Sequence, residues 1–250
     1  MTDFLRGLYL DDPVLLQDGR FQNMTSGEVP SPYSIVDAVA YVAFQEKATR
    51  ISHQNAGLIL AQTAEYSDDK HFPLDAEGTG LADADPETWE RRQALEREER
   101  SELVRTVGKA IMTRVAQDES LHYRFYANLM EEVIQTSPSI AVKAILRQTV
   151  GFQMPGTGIN DFEQRARVIA DAGIYDRRLH HDEILEAVML KRWKIDKIEA
   201  AGLDDEAKAA QEFLVETVLP EHDKLAARFE EKRAARREAN PDAVYLRKAA

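Results

Sequence analysis

The chain has 250 residues, 44% hydrophobic and 30% charged, with a formal net charge of −12 and no cysteine. This length suits one sizeable core, and the absence of thiols excludes disulfides, thiolate zinc sites, protein-ligated iron–sulfur clusters and cysteine nucleophiles, leaving oxygen and nitrogen to hold any metal. The acidic balance opposes binding to nucleic acid, and no window approaches 18 consecutive apolar residues, so no membrane span is expected.

The opening MTDFLRGLYLDD has no basic segment followed by an apolar run, so no secretory signal is expected and the location is read as cytoplasmic. The first thirty residues read as a short helical start and then loop, since Pro13, Gly19, Gly27 and Pro30 interrupt any period. From Ser34 to about residue 64 the pattern turns helical: Ile35, Val39, Val42, Glu46, Thr49, His53, Gly57 and Leu60 recur by threes and fours. Residues 66 to 88 are acidic, with Gly and Pro and no apolar period, and read as loop.

A second long helix is expected from about Glu87 to Gln135, solvated in its charged first half and amphipathic in its second. Its stripe is Val104, Val107, Ile111, Val115, Glu119, His122, Tyr126, Leu129 and Val133. Shorter helices follow at about 138 to 150, 160 to 172, 179 to 199 and 204 to 237, punctuated by Pro138, Gly173 and Gly202. The basic run EEKRAARRE near residues 230 to 238 reads as a solvated helix face. With no strand-like alternation and no repeat, the expectation is one all-α helical bundle spanning residues 1 to 250.

Glu46 and His53 on the first long stripe, and Glu119 and His122 on the second, interrupt runs of Ile, Val and Leu. A buried carboxylate must protonate, find a cation or bind metal. Glu and His at i, i+3 share a helix face, and bundle cores lined by such pairs hold di-iron or di-manganese sites. From the residues alone an ion pair remains an equal alternative. His53 reads as a hydrogen-bonded core histidine, and His71, His180, His181 and His222 as surface residues.

The stretches YVAFQEKATRISHQNAG and VAQDESLHYRFYANL, followed by GFQMPG, VIADAGIYDRR and KRWKIDKI, resemble the soluble acyl-[acyl-carrier-protein] desaturases, the stearoyl-ACP desaturase family, most closely its actinobacterial members. The resemblance covers nearly the whole chain except an acidic segment at about 61 to 100, which looks like an insertion. It implies a ferritin-like bundle holding two iron ions and an O2-dependent insertion of a cis double bond into a fatty acyl chain on acyl carrier protein. A ferredoxin-type donor would supply electrons to a homodimer. By the same resemblance Glu46 matches a terminal iron ligand, Glu119 a bridging carboxylate and His122 its paired imidazole. Thr49 falls beside the dioxygen-binding face, and Asp118 matches an acid that orients a ligand imidazole. A basic surface of Lys191, Arg192 and Lys194 would receive the acidic partners.

A complete site of this kind uses four carboxylates and two imidazoles, and the sequence holds no second core E-x-x-H. MTDFLRGLYL resembles the end of the helix that would carry one, so the bundle is expected to be partial, lacking its N-terminal ligand helices. Three readings stay open: a desaturase whose remaining ligands lie in a longer form, a non-catalytic scaffold that binds partners, or an assembled site to which another chain or a second copy contributes.

Overall fold

The computed structural model describes residues 32–62, 104–154 and 162–239, with 17, 21, 22, 24, 25 and 102 besides. The expectations for most of the first thirty residues, for the acidic segment beyond Gln62, for His71 and for the charged start of the second long helix lie outside the described residues.

Among the described residues every regular element is helical. Helix α1 spans Ile35–Gln62, and a wide π turn at Val104–Gly108 leads into α2, Lys109–Thr136. Helices α3 (Pro138–Gly151) and α4 (Phe162–Ala172) follow. Helix α5, Arg177–His180, continues in π register over His181–Arg192. Then come α6 (Asp205–Phe213), a π stretch at Leu214–Val218 and α7 (Leu219–Ala239).

Local chemistry places the boundaries. At the start of α1 the Ser34 hydroxyl accepts the Asp37 amide at 3.2 Å, satisfying an orphan first-turn donor. Between α2 and α3, Ser137 leaves helical geometry, and Pro138 opens α3 where a missing N–H costs nothing. Asp176 caps α5 through the Leu179 amide, and Asp204 caps α6 through that of Ala207.

The helix expected over 179 to 199 stops at Arg192. Trp193 and Ile195 are both buried, but two residues apart on a straight helix they would face nearly opposite sides. Lys194 takes a left-handed conformation (φ 52°) and turns the chain so that both enter the core. The Trp193 indole then donates to the Ala127 carbonyl of α2 at 3.2 Å.

Small residues allow close packing. Ala40, Ala43 and Ala48 of α1 and Ala127 of α2 are fully buried beside Phe44 and Met130. A Cβ on Gly57 would sit 3.0 Å from the Met112 Cβ, so α1 and α2 approach closely here. The buried register of α2 is Ala116, Tyr123, Ala127 and Met130, beside the expected stripe, three of whose members, Val107, His122 and Leu129, are exposed. The apolar band on α2 is wider than its contact with α1, so periodicity found the band but centred it wrongly.

Two surface expectations are corrected. His181 is buried, and His180 is half-buried, stacked on Phe152 at 5.0 Å with Nδ1 2.9 Å from the Tyr175 hydroxyl. His222 is half-buried too, its ring 6.1 Å from that of His180. The basic run on α7 is not simply solvated: Arg233 pairs with buried Asp176, and Arg236 Nε donates to Asp171 at 2.9 Å. Long-range acids on the preceding segments claim these cations, which a local charge pattern cannot show.

Candidate metal centre

Helices α1 and α2 run antiparallel, since Glu46 meets the Glu119–His122 turn while Gly57 meets Met112. Their packing brings one donor atom from each of Glu46, Glu119 and His122 within 4.8 Å of one another. His122 Nδ1 lies 3.2 Å from Glu46 Oε2 and 3.9 Å from Glu119 Oε2. The two carboxylates are turned inward, with side chains 14% and 20% exposed, while the imidazole is 58% exposed.

Burial, and then the hydrogen-bonded carboxylate of Glu119, push the Glu46 carboxyl up to about 7 against the opposing pull of His122. Near neutral pH the Glu46 carboxyl therefore carries a proton part of the time, and a cation could replace it. Carboxylate oxygen and imidazole nitrogen suit a first-row divalent ion such as iron or manganese. The donor set fits one half of a carboxylate-bridged pair: the described residues bring together two carboxylates and one imidazole of the four and two needed.

The other expected site residues stand around this group. Thr49, one turn from Glu46, donates its hydroxyl to the Gln45 carbonyl at 3.0 Å and to that of Glu46 at 3.2 Å. Asp118 pairs with Arg114 at 3.4 Å and is 45% exposed, and no imidazole is among its contacts in the described residues. His53 is closer to the chemistry than a separate core histidine: its Nε2 lies 3.9 Å from Glu119 Oε1, and desolvation lowers its pKa against the pull of that acid.

Sequence reading missed the clamp beside the donors. Tyr123, buried next to His122, has the Lys47 ammonium 5.6 Å and the Arg192 guanidinium 5.2 Å from its ring centroid. Lys47 reaches Glu183 at 3.0 Å, and Arg192 Nε reaches Glu131 at 2.6 Å. These contacts lock the rotation of α1 and α2 and so aim the donors. The only sequence signal was adjacency, Lys47 beside Glu46 and Tyr123 beside His122. They also occupy Arg192, while Lys191 pairs with Glu186 at 3.1 Å, so of the expected basic surface Lys194 alone forms no ion pair among the described residues. An open groove of about 320 Å³ between α1 and α2, lined by Arg50, Lys109, Gln54 and Gln117 among others, does not include the donors.

The family model described as fatty acid desaturase matches residues 97–245. Among curated proteins, the chain is 32% identical over 203 residues to a putative acyl-[acyl-carrier-protein] desaturase, DesA1, of Mycobacterium tuberculosis, covering 78% of this chain and 47% of the relative. It is 24% identical over 200 residues to DesA2 of the same organism (80% and 54%). To stearoyl-[acyl-carrier-protein] 9-desaturase 1, chloroplastic, of Oryza sativa subsp. japonica, it is 28% identical over 198 residues (76% and 40%). The chain thus spans about half the length of the curated relatives it matches.

Proposed function

The chain belongs to the fatty acid desaturase family, and from that premise we propose that it is an acyl-[acyl-carrier-protein] desaturase, or the part of one that carries half of its metal ligands. The observation that supports this best is the convergence of Glu46, Glu119 and His122 from two helices onto one point. A scaffold without chemistry has no need of two inward carboxylates, whose burial is costly without a cation. That favours the enzyme over a partner-binding module.

In this reading Glu46 and Glu119 through carboxylate oxygen, and His122 through imidazole nitrogen, would hold iron as this chain's share of the ligands. When bound, iron at such a centre supplies, with dioxygen, the oxidising capacity to remove hydrogens from an unactivated acyl C–H bond. The chain's own residues bind and orient. Glu46 gives up its proton when a cation arrives, and the Lys47–Tyr123–Arg192 stack keeps α1 and α2 in register. Thr49, one turn from Glu46, would stand beside the bound iron, and Asp118, which here pairs with Arg114, would orient a ligand imidazole only in a completed site. The substrate is a fatty acyl chain on acyl carrier protein, and the electrons come from a ferredoxin-type donor. The protein works as a homodimer in the cytoplasm, and residues 1 to 250 form one domain.

The test is to load the protein with ferrous iron and supply stearoyl- and palmitoyl-acyl carrier protein, ferredoxin, its reductase and dioxygen. The fatty acids are then read by gas chromatography and mass spectrometry. A cis-monounsaturated product, absent with Glu119→Ala, is expected from a form extended to the length of its relatives, and none from residues 1 to 250 alone. Bound iron without product would remove the activity and leave the metal centre. Absence of bound iron would remove both.

A further inference from the structure

We propose that the open groove between α1 and α2 binds a small elongated dianion, a phosphorylated hydroxy acid whose phosphate meets Arg50 and whose carboxylate meets Lys109. The site shares no residue with the donor group and goes beyond the desaturase reading.

The groove is built from two facing stripes. Arg50, Gln54 and Leu58 recur by fours on α1, and Lys109, Thr113 and Gln117 by fours on α2. Gly57 and Ala116, both buried, put little bulk between the stripes, and a recess of about 320 Å³ stays open. That volume is at the lower end for small-ligand sites, about 300 Å³.

Its charge is opposite to that of the molecule. The chain carries a net −12, yet two cations and no carboxylate line this groove. Arg147, Arg178, Arg192 and Arg236 are each claimed by an acid. Arg50 and Lys109 form no ion pair among the described residues.

Spacing selects the ligand. The Lys109 carbonyl lies 3.7 Å from a Cβ placed on Gly57, whereas Arg50 stands seven residues earlier on α1. The helical rise therefore brings the two cations into the groove about 10 Å apart, which suits an anion at each end of one molecule better than a single phosphate. The planar Arg fork matches phosphate oxygens, and the Lys ammonium takes a carboxylate as a point charge. Between them the exposed Gln54 and Gln117 amides and the Thr113 hydroxyl offer donors and acceptors to a hydroxylated body.

Calorimetric titration of the protein with 6-phosphogluconate as the two-ended probe, and with sorbitol 6-phosphate and gluconate as the one-ended ones, tests this. 6-Phosphogluconate should bind at least tenfold more tightly than either and raise the melting temperature. Arg50→Gln should weaken 6-phosphogluconate and sorbitol 6-phosphate at least tenfold and leave gluconate unchanged, and Arg50→Lys should recover part of the loss. Lys109→Gln, at an exposed position, should weaken 6-phosphogluconate and gluconate and leave sorbitol 6-phosphate unchanged. Both Gln variants should keep the wild-type circular dichroism. Equal affinity for the three probes, affinity unaltered in both Gln variants, or no binding at millimolar probe would overturn the site. Neither metal nor acyl substrate enters the measurement, so its failure leaves the desaturase reading standing, and failure of that reading leaves the groove.

Discussion

Asp37, fully buried in the first turn of α1, receives Arg147 Nε from α3 at 2.7 Å and Arg147 Nη2 at 2.9 Å. Gln148 and Ser34 add further hydrogen bonds. Burial alone would raise this carboxyl, but the hydrogen bonds from Arg147, Ser34 and Gln148 outweigh it and hold Asp37 below its ordinary value. Its contribution to stability is therefore complete above the unfolded carboxyl pKa, about 3.9, and is lost as pH falls through the lower folded value. Arg147→Met strands a buried acid and should cost about 3 kcal/mol at pH 7 in urea unfolding. The sign of the local pH dependence should then reverse. With its partner gone, Asp37 titrates above its unfolded value, so the variant should recover part of the loss between pH 7 and 4.

The donors and their neighbours should separate in metal binding. Glu119→Ala and His122→Ala each remove a proposed ligand and should abolish retention of iron or cobalt on gel filtration. Asp118 touches Arg114 and no described imidazole, so Asp118→Asn should weaken binding by no more than about tenfold, the low end for groups that orient a ligand. His53→Ala should retain metal and lose about 1 to 3 kcal/mol of stability, the cost of a lost partly buried hydrogen-bonding group. Equal metal content in all four variants would contradict the assignment.

Gly57 controls how closely the two ligand-bearing helices approach, because a Cβ there meets Met112 Cβ at 3.0 Å and the Lys109 carbonyl at 3.7 Å. In Gly57→Ala the gain in helix propensity, about 1 kcal/mol, opposes this crowding, and the net change should be small. Gly57→Leu cannot be absorbed. It should destabilise by about 2 kcal/mol through overpacking and weaken metal binding in parallel as α1 and α2 separate. Tight metal binding by Gly57→Leu would show that the donors do not depend on this spacing.

The sequence made the donors legible because each is a polar break in an apolar stripe, and such breaks need only the helical period to be found. The boundaries of α1 and α3 were legible for a similar reason, Ser34 and Pro138 being local signals. What escaped depends on long-range packing. The buried register of α2 includes Ala127, whose carbonyl accepts the indole N–H of Trp193, a residue sixty-six positions away. The left-handed turn at Lys194 arises because two neighbouring apolar residues must both reach the core. Arg192 looked like a free docking cation but is held by Glu131 and Tyr123.

His180 is the clearest case of a group misread as surface, and its pKa yields a measurable consequence. The ring lies between Phe152 and Tyr175, and desolvation, reinforced by the neighbouring His222 and Arg177, lowers its pKa to about 4. Burial also holds Tyr175 in its protonated form, and its hydroxyl is hydrogen-bonded to the imidazole Nδ1 at 2.9 Å. A base whose folded pKa lies below the unfolded value of 6.5 favours the folded state fully above that value. The advantage is lost as pH falls from 6.5 towards 4, where only the unfolded chain takes up the proton. The loss amounts to about 3 kcal/mol over that window. His222, lowered in the same direction by burial, should add to it. Guanidinium unfolding at half-unit steps from pH 7.5 to 4 should show this decline, and His180→Phe, which keeps the stack on Phe152, should remove the larger share of it. An unchanged pH slope in His180→Phe would mean that the imidazole reaches water and that the α3–α5 contact around it opens more readily than its packing implies.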